Sequence, residues 1–366
     1  MTKPTIKRKS TYLLDVLTFA LNRMRPHGGV GVEELAQFIE RQFPGRIVRD
    51  KVGNLHLDLR GQPRSTTLFV AHLDTVHHRD GRNFSDWTRR GWVHAKGDVL
   101  GADDAAGVAI LCYLAKRGVP GYYVFTQGEE RGGIGSKYIA DYQHELLGQF
   151  DRAIAFDRRD LISVVSHQGW GGRCCSDEFA EALSTSLNDA GLLYLPDDTG
   201  VYTDTAEFVY DIPECTNISV GYYDEHSQRE CLDLDHFIAL ANAALTIDWE
   251  ALPTKRDPSE LYDATVFDLG GAEGMAVIEG KYETVEYTDF DYDLIDALEN
   301  AREGSNGSLA MILAERMMDD PDSVEIAERS IARMRIDTRY IDEAFDLIDE
   351  QGGEIAADIL IEQLIG

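Results

Sequence analysis

The most constraining feature of this sequence is a repeated pattern in which an apolar, strand-like run ends directly in acidic residues or histidine. Four such runs alternate with segments of helical periodicity, and they read TTLFVAHLD, YYVFTQGEE, RAIAFDRRD and CTNISVGYYDEH. Near-continuous apolar strands between helices are typical of a sheet that is buried on both faces. We therefore predict an α/β fold, with a mixed, mostly parallel sheet and helices on both faces.

The polar residues at the ends of these runs predict one candidate site. Ligands of open α/β sheets bind beyond the carboxyl ends of the strands. The candidate residues at those ends are His72, Asp74, Glu129, Glu130, Asp157 and His226, and Asp103 and Asp104 occupy a strand-to-helix turn. The fold would bring these side chains to one edge of the sheet.

These residue types are the ones that a pair of catalytic metal ions requires. Two divalent ions about 3.5–4 Å apart clamp a water molecule and a substrate carbonyl, and their mutual repulsion calls for an anionic bridge. Zinc is typically bound by histidine nitrogen or carboxylate oxygen. A further carboxylate must accept the proton of the attacking water. Because strand positions i and i+2 face the same side, Asp74 could accept the second ring N–H of His72.

Each motif on its own is weak evidence for a metal site. An isolated His-x-Asp is most often a polar pair, Asp-Asp is usually a turn or a helix N-cap, and Glu-Glu is usually a solvated loop. Their order along the chain and their placement at successive strand ends together favour a metal site.

Taken together, the motifs HLDTV, GADDAAG, GEERGGIGS, AFD and YYDEHS resemble those of the di-zinc exopeptidase superfamily. This group, also called clan MH, includes bacterial leucyl aminopeptidases, cytosolic tripeptidases and glutamate carboxypeptidases. The resemblance spans roughly residues 10–250 and implies the zinc-exopeptidase (phosphorylase/hydrolase-like) fold. It further implies that His72 and Asp157 bind one zinc ion, that Glu130 and His226 bind a second, and that Asp103 bridges both.

The resemblance also implies roles for two carboxylates that are not metal ligands. Glu129 would be the general base, and Asp74 would orient His72. The implied cofactor is two Zn²⁺ ions, although cobalt and manganese stay open, because relative affinity alone does not decide which metal is loaded in a cell. Members of this superfamily often have a cis peptide bond after the bridging aspartate, which corresponds here to Asp103–Asp104.

The spacing of the last two candidate ligands bears on the branch of the superfamily. Many carboxypeptidase-like members insert a lid domain at this point, but only 69 positions separate Asp157 from His226. That interval must hold at least a strand and a helix, which leaves no room for a separate domain of about 50 residues or more. We therefore predict the lidless, leucyl-aminopeptidase-like branch and an aminopeptidase that acts on the N-terminus of peptides.

Two other functions stay open. A zinc-dependent carboxypeptidase or deacylase would act on N-acylated amino acids or dipeptides, and a positive pocket for the substrate carboxylate would favour it. The other open function is an inactive scaffold that binds partners. A site without catalytic activity, however, has no physical reason to keep a cluster of carboxylates whose burial costs free energy. The expected partners are a peptide or acylated amino-acid substrate and, because the superfamily often assembles, further copies of the chain.

Charge and hydropathy exclude other partners. The chain has 65 acidic against 35 basic residues, a net charge of −30 that repels nucleic acid and anionic membranes. The apolar runs fall short of the ~20 residues that span a bilayer. The basic N-terminus, MTKPTIKRKS, is followed by a segment that contains Asp15 and lacks a clean secretory apolar region. We therefore expect a cytoplasmic protein.

The acidic residues are unevenly distributed and predict the domain organisation. Residues 251–366 contain 9 basic and 29 acidic residues, and apolar residues at helical spacing recur after residue 287. We predict a catalytic metallopeptidase domain without an inserted lid at residues 1–250 and a linker or extension at 251–286. An acidic, all-helical module of unknown role would follow at 287–366.

Overall fold

The structure is a computed structural model that describes residues 11–168 and 172–259. The predicted helical module at 287–366, and residues 260–286 of the predicted linker or extension, lie outside the described residues. The described residues therefore belong to the predicted catalytic domain and its immediate continuation.

The described helices and strands follow the alternation seen in the sequence. The helices are α1 (Thr11–Leu21), α2 (Val30–Gln42), α3 (Ala102–Arg117), α4 (Ile134–Tyr142), α5 (His144–Leu147), α6 (Asp177–Asp189) and α7 (Leu234–Ala244). The strands are β1 (Arg23–Met24), β2 (Ile47–Arg49), β3 (Leu55–Asp58), β4 (Thr67–His72), β5 (Gly81–Arg82), β6 (Ser85–Asp86), β7 (Trp92–Ala95), β8 (Tyr122–Thr126), β9 (Arg152–Arg158), β10 (Ser163–Val165), β11 (His167–Gln168), β12 (Gly172–Arg173), β13 (Leu195–Asp197), β14 (Glu214–Ser219), β15 (Tyr222–Tyr223) and β16 (Cys231–Asp233). Short 3₁₀ turns cover Glu129–Arg131, Asp204–Phe208 and Trp249–Ala251.

The described strands build a mixed central sheet in the order β13-β10-β14-β9-β4-β8-β3-β2. Its four middle strands, β14, β9, β4 and β8, are mutually parallel, and the flanking pairs β10–β14, β8–β3 and β3–β2 are antiparallel. The prediction of a mixed, mainly parallel sheet combined with helices is therefore confirmed.

Both faces of the central sheet are covered, because alternate residues of one strand enter different cores. In β4, Phe69 and Ala71 join the cluster formed with α1, α2, α3 and α7, whereas Leu68 and Val70 join the cluster formed with α4 and α5. Every residue of β4 is buried. This explains why the strand is apolar from Leu68 to Ala71 instead of alternating with polar residues.

The N-terminal segment forms two helices and an antiparallel pair of strands. The stripes of apolar residues over residues 10–45 become α1 and α2, and the segments on either side of Gly53 pair as the antiparallel strands β2 and β3. Gly53 has a positive φ of 94° in this turn, and the Asp50 carboxylate accepts hydrogen bonds from the backbone N–H groups of Val52 and Asn54.

The chain after α7 packs against the edge of the sheet at which the parallel strands begin. Glu250 accepts hydrogen bonds from the hydroxyl groups of Ser65, Thr66 and Thr67 at the start of β4. Arg152, the first residue of β9, donates to the carbonyl of Leu252. The first residues of the predicted extension thus contact the catalytic domain, at the edge opposite to the candidate site.

A smaller sheet, in the order β15-β16-β7-β6, stands next to the carboxyl edge of the central sheet. It holds both ends of the loop between β15 and β16, in which His226 lies. None of the described helices is long and apolar enough to cross a bilayer.

Candidate active site

The predicted site residues come together at the carboxyl edge of the parallel strands. His72 ends β4, Asp103 lies in the turn that opens α3, Glu129 and Glu130 form the 3₁₀ turn after β8, Asp157 lies near the end of β9, and His226 lies in the loop after β15. The structure therefore brings together all of the residues that the sequence analysis selected as ligands or as the general base.

Asp103 lies between the two histidines. Its Oδ1 atom is 3.0 Å from Nε2 of His72, and its Oδ2 atom is 3.1 Å from Nε2 of His226. The peptide bond between Asp103 and Asp104 is cis, as the resemblance implies. One carboxylate thus presents an oxygen to each imidazole, which is the arrangement that a bridging ligand requires.

Two groups of potential ligand atoms share Asp103. One comprises His72, Asp103 and Asp157, and the other comprises Asp103, Glu130 and His226; within each, the atoms lie within 4.8 Å of one another. A third overlapping group contains His72 with Glu129 and Glu130. The donor set of imidazole nitrogen and carboxylate oxygen fits zinc.

The second group opens to solvent through His226. The side chain of His226 is 49% exposed, whereas that of His72 is 1% exposed. The backbone of His226 has φ 60°, an uncommon left-handed conformation for a residue other than glycine. Such outliers concentrate at functional sites, where the surrounding structure enforces them.

Asp74 contacts the turn that carries Glu129 and Glu130. Its carboxylate accepts hydrogen bonds from the backbone N–H groups of Gly128 (2.8 Å), Glu129 (3.2 Å) and Glu130 (3.3 Å). Its Oδ1 atom is 3.7 Å from Nδ1 of His72, which is longer than a direct hydrogen bond. Asp74 therefore fixes the position of the turn that carries Glu129 and Glu130, while its contact with His72 is longer.

Asp157 is held by three neighbours, which lie in β14, in β15 and directly before the Asp204–Phe208 turn. Asn217 forms two hydrogen bonds of 2.8 Å with the backbone N–H and carbonyl of Asp157. The hydroxyl of Thr203 donates to Asp157 Oδ2, and that of Tyr222 lies 3.2 Å from Oδ1. These contacts aim the Asp157 carboxylate towards His72, whose Nε2 atom is 3.6 Å away.

The negative charge of the site changes the pKa values of both histidines. Burial alone would lower the pKa of His72, but the charge of Asp157 and the contacts with Asp103 raise it well above its usual value. Burial likewise opposes charging of His226, yet its close contacts with the carboxylates of Asp103 and Glu130 raise its pKa to about 11. Conversely, these two histidines lower the pKa of Asp103 against the effect of burial.

The remaining carboxylates carry charge that the two histidines do not balance. Burial, with repulsion from neighbouring carboxylates, raises the pKa of Glu129 and Glu130 and raises that of Asp157 to about 7. Glu130 Oε1 is buried and has no aligned hydrogen-bond donor among the described residues, although His226 Nε2 is 3.0 Å away. Buried charges of one sign are stable only when paired or bound to a cation. The residues present therefore fit a metal centre.

Sequence reasoning missed two residues that support the site. Glu230 accepts hydrogen bonds from the backbone of the Gly101–Asp103 turn, and Asn217 holds Asp157. Glu230 lies four residues after His226, but an isolated acid in a loop has no pattern that distinguishes it. Nearness to a predicted ligand was the available signal.

With this geometry established, the chain can be compared with known proteins. Residues 54–163, which carry His72, Asp103, Glu129, Glu130 and Asp157, match the family described as Peptidase family M28. This match supports the resemblance to the di-zinc exopeptidase superfamily. The predicted resemblance is thus confirmed, for a segment that supplies all of the proposed ligands except His226.

A curated relative is the cytosol non-specific dipeptidase of Escherichia coli (strain K12), which is 31% identical over 128 residues. That alignment covers 29% of this chain and 26% of the dipeptidase. The match therefore spans about a quarter of the relative's length.

Solved structures of peptidases share the fold described above. Aminopeptidase PepT from Bacillus cereus ATCC 10987 aligns with a TM-score of 0.54 and 14% identity over 65% of this chain and 97% of that one. The TET1 peptidase of Pyrococcus horikoshii aligns with a TM-score of 0.51 and 16% identity over 64% of this chain and 98% of the other. At these identities the likeness establishes the fold.

Proposed function

We propose that this protein is a metal-dependent aminopeptidase that hydrolyses the peptide bond at the N-terminus of peptides and binds two zinc ions. The carboxylate of Asp103 carries the proposal, because its two oxygens face one histidine of each ligand group at 3.0 and 3.1 Å. A carboxylate in this position can neutralise the repulsion between two neighbouring cations.

The ligand assignment follows the two groups. His72 and Asp157 would hold one ion and Glu130 and His226 the other, with Asp103 shared between them. When bound, the ions would lower the pKa of a water molecule and polarise the scissile carbonyl. The chain would contribute the fixed positions of these ligands and the buried surroundings of the His72 group.

Glu129 would move the proton in the reaction. Its Oε2 atom lies 4.0 Å from His72 Nε2, beside the first ligand group, and its backbone is fixed by Asp74. Burial and the charges of Asp157 and Glu130 raise its pKa, which increases the affinity of its carboxylate for a proton taken from water. Glu129 would then donate that proton to the leaving amine.

The charge around the site supports recognition of a free N-terminus over a substrate carboxylate. Arg158, next to Asp157, is engaged by Asp197 and by the carbonyl of Thr199. Arg159 pairs with Glu225 at 3.1 Å. The two arginines that follow Asp157 are therefore occupied, and the carboxylates of the site favour a positively charged amino terminus.

The chain between Asp157 and His226 supports the lidless branch. In its described part, strands β10, β13 and β14 join the central sheet, and α6 packs in the same core as α7. These residues are used by the catalytic domain itself. A short peptide would reach the exposed His226 side of the site without displacing an inserted domain.

The proposal is tested with purified, zinc-loaded protein and a mixture of short peptides, half with free and half with acetylated N-termini. Mass spectrometry reads which end is shortened, with and without a chelator. Loss of single residues from free N-termini that the chelator abolishes is the expected result. Trimming of the acetylated peptides alone would instead support the deacylase or carboxypeptidase, and no cleavage by protein with two bound metals would support the partner-binding scaffold.

Assembly and location complete the proposal. The TET1 peptidase can assemble into a tetrahedron or a large octahedral shell, and we extend self-association, in an unspecified number of copies, to this chain. We also propose that it acts in the cytoplasm. The molar mass measured by light scattering as the protein elutes from a size-exclusion column tests self-association. Cell fractionation tests the cytoplasmic location.

A further inference from the structure

Glu230 connects two segments that carry proposed ligands. It lies four residues after His226, and its side chain is buried, with 1% exposure. Its carboxylate accepts hydrogen bonds from the backbone N–H groups of Gly101 (2.9 Å), Ala102 (2.6 Å) and Asp103 (3.2 Å). The loop that presents His226 is therefore bonded directly to the turn that presents Asp103.

The opposite side of the same turn is held by Arg25. This guanidinium is fully buried and donates to the carbonyl of Gly101 at 3.1 Å and to that of Leu73 at 2.9 Å. Leu73 lies between His72 and Asp74. Gly101 is thus bonded through its N–H to the His226 loop and through its carbonyl, by way of Arg25, to the end of β4.

The conformation of Gly101 explains why this turn needs such support. Gly101 has φ 71°, and a Cβ atom there would lie 3.2 Å from Cγ2 of Thr75. The first N–H groups of a helix have no partner within it, and at this buried turn Glu230 supplies the acceptors. Without them, the three N–H groups would lose their partners and the turn could move.

We propose that Glu230 is a positioning residue of the metal centre, whose carboxylate sets the place of Asp103 relative to His72 and His226. The inference rests on the proposed two-metal function. Substitution of a residue that holds a metal ligand in place typically lowers metal affinity or activity 10–100-fold. Glu230→Gln preserves the size of the side chain but turns an amide NH₂ towards N–H donors.

Glu214 offers a matched control for this substitution. It is equally buried, and its carboxylate accepts hydrogen bonds from the backbone N–H groups of Ser176 (2.7 Å) and Lys255 (2.6 Å). It lies at the start of β14, at the opposite edge of the sheet from the site. Glu214→Gln therefore reproduces the loss of a buried backbone acceptor without touching the Asp103 turn.

The experiment titrates Zn²⁺ into the full chain after chelator treatment and dialysis, by isothermal titration calorimetry, and records thermal unfolding of the metal-free proteins. We expect two ions in the wild type, an affinity for at least one ion reduced at least 10-fold in Glu230→Gln, and wild-type affinities in Glu214→Gln. Both variants should unfold at a lower temperature.

Two results would overturn the inference: wild-type affinities in Glu230→Gln, or an equal loss of affinity in Glu214→Gln. If Glu230→Gln does not fold, Glu230→Asp replaces it; it retains both oxygens, and we expect a partial loss of affinity and a changed absorption spectrum with bound Co²⁺. Wild-type values for that variant would count against the role of Glu230. A wild type that binds fewer than two ions would instead overturn the proposed two-metal function itself.

Discussion

The Oδ2 atom of Asp103 lies 3.1 Å from the Nε2 atom of His226, although 123 positions separate the two residues in the chain. The contact joins the turn at the start of α3 to the loop between β15 and β16, which carries the last of the predicted ligands. In the metal-free protein it is an ion pair that keeps a proton on His226. Metal binding must displace that proton, because a coordinating imidazole is neutral.

The first prediction concerns the pH dependence of stability in the metal-free protein. His226 has a pKa of about 11 in the folded state, against about 6.5 in an unfolded chain. Its contribution is therefore complete below pH 6.5 and is lost as the pH rises towards 11. The raised pKa of His72 acts in the same direction. We expect the unfolding temperature of chelator-treated protein to fall between pH 6.5 and 9.

Zinc-loaded protein is the control for this measurement. Metal binding competes with protons at the histidines, so the stabilisation due to zinc should increase over the same pH range. Differential scanning calorimetry of both forms gives the comparison. A metal-free protein whose unfolding temperature rises from pH 6.5 to 9 would contradict the assignment of His226 as the partner of Asp103 and Glu130.

The second prediction concerns Glu129. Glu129→Ala removes the group that we propose accepts the proton from water, but it leaves the Asp103-centred ligand groups intact. We expect turnover to fall by about 10²–10⁴-fold, with two metal ions still bound. Steady-state kinetics and metal analysis of the same sample test this. Glu145→Ala, an exposed acid on α5, is the matched substitution and should behave as wild type.

The sequence predicted the sheet and the principal site because both depend on local patterns. Apolar runs such as β4 are buried on both faces, and parallel strands place their carboxyl ends at one edge. The supporting residues depend on contacts between distant segments. Glu230 bonds to a turn 127 to 129 positions earlier in the chain, and no periodicity indicates that pairing.

The expected contact between Asp74 and His72 shows the limit of a strand-based argument. The rule that positions i and i+2 share a side holds within a strand, but β4 ends at His72. Beyond that residue the chain leaves the strand, and the Asp74 carboxylate accepts a hydrogen bond from the backbone N–H of Gly128 at 2.8 Å. The sequence identified Asp74 as part of the site but not its hydrogen-bond partners.

The third prediction follows from those partners. Asp74→Asn retains the size of the side chain but places an NH₂ group among three backbone N–H donors. We expect zinc affinity or turnover to fall about 10–100-fold, because the turn with Glu129 and Glu130 loses its anchor. Asp58→Asn, a change at an exposed carboxylate that pairs with the buried Arg60, is the comparison. Unchanged affinity and turnover in Asp74→Asn would exclude this anchoring role.

The fourth prediction concerns Gly107, in the first turns of α3. A Cβ atom there would lie 2.4 Å from Oδ1 of Asp104 and 2.7 Å from the carbonyl oxygen of Phe156. Gly107→Ala should therefore lower the free energy of unfolding by about 1–3 kcal/mol, although alanine favours helices.

Denaturant unfolding of Gly107→Ala and Gly61→Ala provides the test. A Cβ atom at Gly61 meets nothing within 4 Å, so that variant should stay within about 0.5 kcal/mol of wild type. Equal stability of the two variants would show that α3 can move away from Phe156.

The central claim is that Asp103 bridges two metal ions, and anomalous X-ray diffraction from a zinc-soaked crystal at the zinc absorption edge tests it most directly. We predict two anomalous peaks about 3.5–4 Å apart, one beside His72 and Asp157 and the other beside Glu130 and His226, with the Asp103 carboxylate between them. A single peak, or two peaks that Asp103 does not join, would contradict the account.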